Sequence, residues 1–106
     1  MILRIKEIVE TELNVNLGTR SRVRRISDAK KIFCKLARER TNYSLAEIGK
    51  VLNNDHATVL HNIKQANNLL ETDKVFKNDF ARCEAIIKHE DDMINSVKIH
   101  LGNGTN

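Results

Sequence analysis

The sequence predicts an all-α fold: a compact helical domain built around a helix-turn-helix, with a long helix at its C-terminal end. Three observations predict it. There is no proline and only four glycines, while Leu, Ile, Ala, Lys and Glu, which lose little rotamer freedom in a helix, dominate. Apolar residues recur at steps of three and four rather than alternating. A hydrophobic fraction of 41% over 106 residues is enough for one modest core and argues against wholesale disorder.

Each element has its own signal. Ile2, Ile5, Val9 and Leu13 give a short amphipathic helix, and residues 14–19, with Asn14, Asn16 and Gly18, read as its exit loop. An arginine cluster follows, Arg20, Arg22, Arg24 and Arg25, in which only Val23 is expected in the core. Ser27 or Asp28 is expected to cap the next helix. That helix carries Ala29, Ile32, Phe33, Leu36, Ala37 and Arg40 on one face and turns Lys31, Lys35 and Arg38 away from the core. Residues 41–43 end it. Ser44 and Glu47 then form a capping box, and Leu45, Ile48, Val51 and Leu52 make the apolar stripe of a short helix. Asn53 and Asn54 tolerate left-handed backbone angles and mark a tight turn. Asp55 caps a further helix whose inner face is Val59, Leu60, Ile63, Ala66 and Leu70. Two capped helices around a tight polar turn are the layout of a helix-turn-helix. Finally, Phe76, Phe80, Cys83, Ile87, Ile94, Val97 and Leu101, with Glu90 in one slot, predict a helix of roughly 25–28 residues and a frayed tail at residues 102–106.

The net charge of +4 hides a polarised chain. Residues 18–50 hold ten Lys/Arg against three Asp/Glu, whereas residues 67–106 hold five against seven. Such asymmetry points to a directional surface for a polyanion. Cys34 and Cys83 lie in amphipathic patterns with no CxxC and read as two buried free thiols. No run is long and apolar enough for a membrane span, and Lys6 and Glu7 come too early for a signal peptide, so a cytoplasmic protein with no membrane partner is expected.

A helix that reads the major groove of DNA presents its N-terminal turns to base edges, while flanking groups hold phosphates. The turns after residue 54 offer Asp55, His56, Ala57 and Thr58, and the same side continues through His61, Asn62, Lys64, Gln65 and Asn68. These side chains are short, polar and mostly neutral. An ordinary solvated helix would carry more Glu and Lys.

Residues 36–49, Leu-Ala-Arg-Glu-Arg-Thr-Asn-Tyr-Ser-Leu-Ala-Glu-Ile-Gly, followed by Asp-His-Ala-Thr-Val-Leu-His at residues 55–61, resemble the C-terminal DNA-binding domain of the bacterial replication initiator DnaA. The likeness extends over about residues 2–88. It implies a TrpR-like helix-turn-helix that binds a short A/T-rich box of double-stranded DNA. By position, it implies that Asp55 and His56 face bases in the major groove, and the methyl of neighbouring Ala57 can touch a thymine methyl. Thr58 and His61 fall near phosphates, and Lys64 lies on the same outward side as a further DNA-binding candidate. Arg38, Lys30 and Lys31 match backbone contacts, and Arg22 matches an arginine that enters the minor groove. A narrow A/T-rich minor groove concentrates negative potential, which suits an arginine on a flexible arm. The chain departs from the pattern in several places. Ala57 stands where threonine is usual, the turn before Asp55 is one residue shorter, and Asn54 replaces an arginine. Ala29 and Ala46 replace prolines, and Gln65 replaces a basic residue. The preferred box is therefore expected to differ.

The resemblance divides the chain into a DNA-binding unit, residues 1–88, and a helical extension with its tail, residues 89–106. The sequence contains no GxxxxGK[ST] loop, so no nucleotide is expected to bind. The reading is a free-standing replication or transcription regulator without ATPase activity, of a kind suited to a phage or mobile element. His56 and His61 are five apart and splay around a helix, so no enzyme, cofactor or metal site is expected. The rival is a protein-interaction module that keeps the fold without DNA binding. Ile94, Val97 and Leu101 extend the apolar seam; packing against the first helix, giving a monomer, is expected ahead of a homodimer.

Overall fold

A computed structural model describes the backbone of residues 1–105 and the side chains of residues 1–96. Five helices follow one another: α1 (Ile2–Leu13), α2 (Arg24–Arg40), α3 (Leu45–Leu52), α4 (His56–Thr72) and α5 (Lys74–Thr105). No strand occurs among the described residues.

The core forms around α2, which packs against all four other helices. That is why its buried residues, Ala29, Ile32, Phe33, Cys34, Leu36 and Ala37, extend around more than one side. The stripe expected on α1 is buried, with Ile8 added to it. The helix stops at Asn14, whose φ of 53° is the left-handed conformation that asparagine accepts more readily than most residues. The loop beyond is less loose than its composition implies. Leu17 is fully buried, its backbone N–H donates to Glu10 Oε2 at 2.9 Å, and Gly18 N–H donates to Asn16 Oδ1 at 2.8 Å.

The arginine cluster is split by the start of α2. The helix begins at Arg24, with Val23 at the cap position and no side-chain cap, so neither Ser27 nor Asp28 caps it. Both lie inside the helix and serve neighbours instead. Ser27 Oγ accepts from Lys31 Nζ at 2.6 Å, and Asp28 accepts from Arg24 at 3.3 Å. Val23 is 60% exposed and does not enter the core. Lys31, expected to face away, is buried: its aliphatic stem lies in the packed interior and its ammonium ends on Ser27. Lys35 also turns inward, over the ring of Phe80.

The α3–α4 pair is built as the capping signals require. Ser44 Oγ accepts from Glu47 N at 3.1 Å while Glu47 Oε1 accepts from Ser44 N at 3.1 Å. Asn53 takes φ 58°, and Asp55 Oδ1 accepts from Thr58 N at 2.8 Å to open α4. On α4, Val59 and Ala66 are buried, and Ile63, Leu69 and Leu70 pack against the core. Leu60 is the exception. It is 42% exposed.

Asp73 alone separates α4 from α5, and its Oδ1 accepts from Phe76 N at 3.0 Å. Phe76, Phe80, Cys83 and Ile87 are buried as expected, and α5 runs antiparallel to α1 with Arg4 opposite Glu90 and Glu12 opposite Arg82. Glu90 therefore occupies its seam position as the bidentate partner of Arg4. The 32-residue helix is longer than its spacing predicts and continues through the glycine-containing segment read as a tail. Beyond Glu90 the seam is not covered, and Ile94 is 52% exposed rather than packed. The side chains of Val97 and Leu101 lie outside the described residues. No described helix is long and apolar enough to cross a membrane.

Candidate nucleic-acid interface

The interface is assembled on Gly49. A Cβ at this position would lie 2.3 Å from the carbonyl oxygen of Asn54, closer than any side chain tolerates, so the turn rests directly on α3. Asn54 N–H donates to Gly49 O at 2.8 Å, and the left-handed Asn53 lets the chain reverse there. This contact sets the angle at which α4 leaves α3. Gly49 is the positioning residue that periodicity did not reveal; its place inside a helical stripe, where glycine is costly, was the available signal.

From that base the first turns of α4 project outward. Asp55, His56, Ala57, Thr58, His61 and Lys64 are all exposed. Helical spacing puts His56, Ala57, Leu60, His61 and Lys64 on neighbouring rows of one face. Asp55 is both exposed and engaged. The hydrogen bond from Thr58 N holds its carboxyl below the ordinary carboxylate range, so it is ionised and oriented at neutral pH. Two residues placed on this face lie deeper. Asn62 is half-buried and donates to Cys34 Sγ at 3.8 Å, and Gln65 is half-buried.

Basic groups flank the helix. Arg20 and Arg22 are exposed and make no hydrogen bond or ion pair among the described residues. Arg24 and Arg25 are used differently. Arg24 pairs with Asp28 and Asp73, and Arg25 donates to the carbonyl of Leu13 at 2.8 Å. Just upstream, Lys30 Nζ donates to Thr19 O at 2.9 Å. A cleft of about 670 Å³ lies between Arg20, Arg22 and Lys30 on one side and the turn at Leu52, Asn53 and Asn54 on the other. A second, of about 450 Å³, is lined by Arg22, Arg24, Asp28, Lys31, Gln65 and Asn68. Arg22 thus stands at the junction of both, and the fold gathers Arg22, Lys30 and Lys31 beside α4. Arg38 is exposed at the α2–α3 corner, where its Nη1 donates to Tyr43 O at 3.3 Å.

Other chemistry finds little support in the described side chains. Burial pushes the Cys34 thiol up to about 11 and the Cys83 thiol to about 12, so both are protonated and unreactive at neutral pH. No group of three His, Cys, Asp or Glu side chains converges as a metal site among the described residues.

Residues 2–66 match the family described as bacterial dnaA protein helix-turn-helix. The chain is 39% identical over 73 residues to the chromosomal replication initiator protein DnaA of Bacteroides fragilis, covering 68% of this chain and 15% of that protein. The DnaA of Bacteroides thetaiotaomicron is 41% identical over 73 residues, covering 68% and 16%. That of Aliarcobacter butzleri is 38% identical over 77 residues, covering 69% and 18%. The chain therefore spans less than a fifth of the length of these relatives. The matched region runs from the first residue of α1 into the second half of α4 and includes the whole turn. The chain belongs to the family of bacterial DnaA helix-turn-helix domains.

Proposed function

We propose that this protein binds double-stranded DNA sequence-specifically, with the N-terminal turns of α4 in the major groove and Arg22 in the adjacent minor groove. The observation that carries the reading is a contrast in pairing. The exposed His56, His61 and Lys64 of α4 and the guanidinium of Arg22 make no side-chain hydrogen bond or ion pair among the described residues, while arginines two and three positions away are engaged. Asp55, His56 and Ala57 read base edges in this reading; a methyl at Ala57 suits a thymine methyl. Thr58, His61, Lys64, Lys31 and Arg38 hold phosphates, while Lys30, engaged with Thr19 O, stands behind the arginine segment. Residues 1–88 form the binding unit and residues 89–106 a C-terminal extension. The role is that of a replication or transcription regulator, carried out as a monomer without catalysis.

Selection of bound sequences from random duplexes tests this directly. One enriched motif with an A/T-rich side is expected, and affinity for it should fall with a log–log salt slope of about −4 to −5, as for four to six neutralised phosphates. Absence of binding to any duplex at low salt would leave the protein-interaction reading in its place. Sedimentation at micromolar concentration is expected to show one chain per particle, and a dimer would assign the exposed seam at Ile94 to self-association.

A further inference from the structure

The segment bearing Arg20 and Arg22 is fastened at both ends. Upstream, Leu17 is fully buried, Glu10 holds its backbone N–H, and Lys30 Nζ grips Thr19 O at 2.9 Å. Downstream, Arg24 pairs with Asp73 and with Asp28. Asp73 is the residue at which α4 ends, so this second latch ties the segment to the far end of the helix whose near end faces the bases. Only residues 20–23 lie between the latches. Four residues span at most about 14 Å even when extended, so Arg22 has a short and defined reach.

Asp73 also poses a question of charge. A carboxylate close to a basic surface weakens attraction for a polyanion, so electrostatics alone would remove it. Capping α5 through Phe76 N needs an acceptor there but not a charge, since asparagine and serine cap as well. What needs the charge is Arg24.

We propose that Asp73 and Lys30 are positioning residues that hold Arg22 at a fixed offset from α4, so that the protein discriminates the spacing between a minor-groove A/T tract and a major-groove motif. The inference rests on the proposed role of Arg22. Two latches place the minor-groove and major-groove readers on one rigid frame. Ordering the segment before binding also removes an entropic cost that a loose arm would meet on the DNA.

The test uses the full chain and the duplex obtained by selection, with its A/T tract moved one base pair toward or away from the remaining motif. Wild-type protein should bind the shifted duplexes about tenfold more weakly, the effect of one wrong position in a site. Asp73→Asn keeps the cap and removes the charge. It should reduce that discrimination to about threefold or less, while random duplex is bound as well as or better than by wild type, because a repelling charge is gone. Asp73→Ser is the second cap-preserving variant should the first unfold. Lys30→Met should lose spacing discrimination with little change in salt slope; a slope shallower by about 0.9 with discrimination intact would make Lys30 a phosphate contact only. Wild-type spacing discrimination in both Asp73 variants would overturn the proposal. Arg22→Ala separates the two levels: if it keeps the preference for the A/T tract, the minor-groove role itself fails.

Discussion

Two clefts of similar size lie on either side of the arginine cluster. The one between Arg20, Arg22, Lys30 and the helix-turn-helix turn has no acidic residue in its lining. The other, about 550 Å³ between α1, α2 and α5, holds Arg24, Arg25 and Arg82 together with Glu12, Asp28, Asp73 and Asp79. In the second cleft the charges answer one another. Arg24 pairs with Asp28 and Asp73, and Arg82 pairs with Asp79 at 2.7 Å and Glu12 at 3.8 Å. The difference teaches that arginine density does not mark a polyanion site. An arginine surrounded by carboxylates joins helices, and one without them keeps its field for a ligand.

The largest way to break the comparison is to remove the support of the open cleft. Alanine at Gly49 would gain about 1 kcal/mol of helix propensity, but its Cβ would drive into the backbone of the turn. Overpacking of this kind costs about 1–3 kcal/mol or more, so the clash wins. Gly49→Val, which also lacks alanine's propensity, should lose about 3 kcal/mol in denaturant unfolding, and duplex binding should fall with it. Unchanged stability would show that the turn can move away from α3.

A smaller effect sharpens the distinction between reading and holding. His56→Ala should cost about 1–3 kcal/mol on the selected duplex and much less on random DNA, because a lost base contact is a lost specificity. Arg38→Ala should weaken both duplexes by similar factors. Binding assays on the two duplexes decide it; equal losses for both variants everywhere would mean that the recognition face is misplaced.

Smaller again is the contrast between the clefts themselves. Arg22→Ala should make the salt slope shallower by about 0.9, as one phosphate-proximal charge is lost. Arg82→Ala should leave the slope unchanged and lower stability by about 0–1 kcal/mol, the range of an exposed ion pair. A slope change for Arg82 would show that the paired cleft also meets DNA.

The least effect is expected from pH, through the caps. The backbone donor at Ser44 lowers the Glu47 carboxyl, that at Thr58 lowers Asp55, and that at Phe76 lowers Asp73. A carboxyl with a depressed folded pKa contributes stability above its unfolded value and loses it as pH falls through the folded one. Thermal unfolding should therefore be flat above about pH 5 and decline below about pH 4. Asp55→Asn, still a cap, should shallow that decline; an unaltered profile would remove Asp55 from it.

Much of this architecture could be read without coordinates. The capping box at Ser44, the left-handed Asn53 and the Asp55 cap are local interactions, each encoded in a few adjacent residues, and all three form. The stripes of α1 and of the buried part of α5 follow from the helical period alone. The exposed set at Asp55, His56, Ala57, Thr58, His61 and Lys64 is legible for the same reason, since a capped helix fixes which side its first turns present.

What only the tertiary structure decided concerns partners distant in sequence. Four arginines within six residues are alike until Asp73, Asp28 and the carbonyl of Leu13 distinguish Arg24 and Arg25 from Arg20 and Arg22. Leu17 looks like part of a polar loop until the core receives it, and Lys31 looks solvated until the packing of α4 on α2 closes over its stem. Leu60 and Ile94 keep the right period and yet remain exposed. Periodicity states which residues share a face. Whether that face meets protein or water depends on where other helices begin and end, which is a property of the assembled chain.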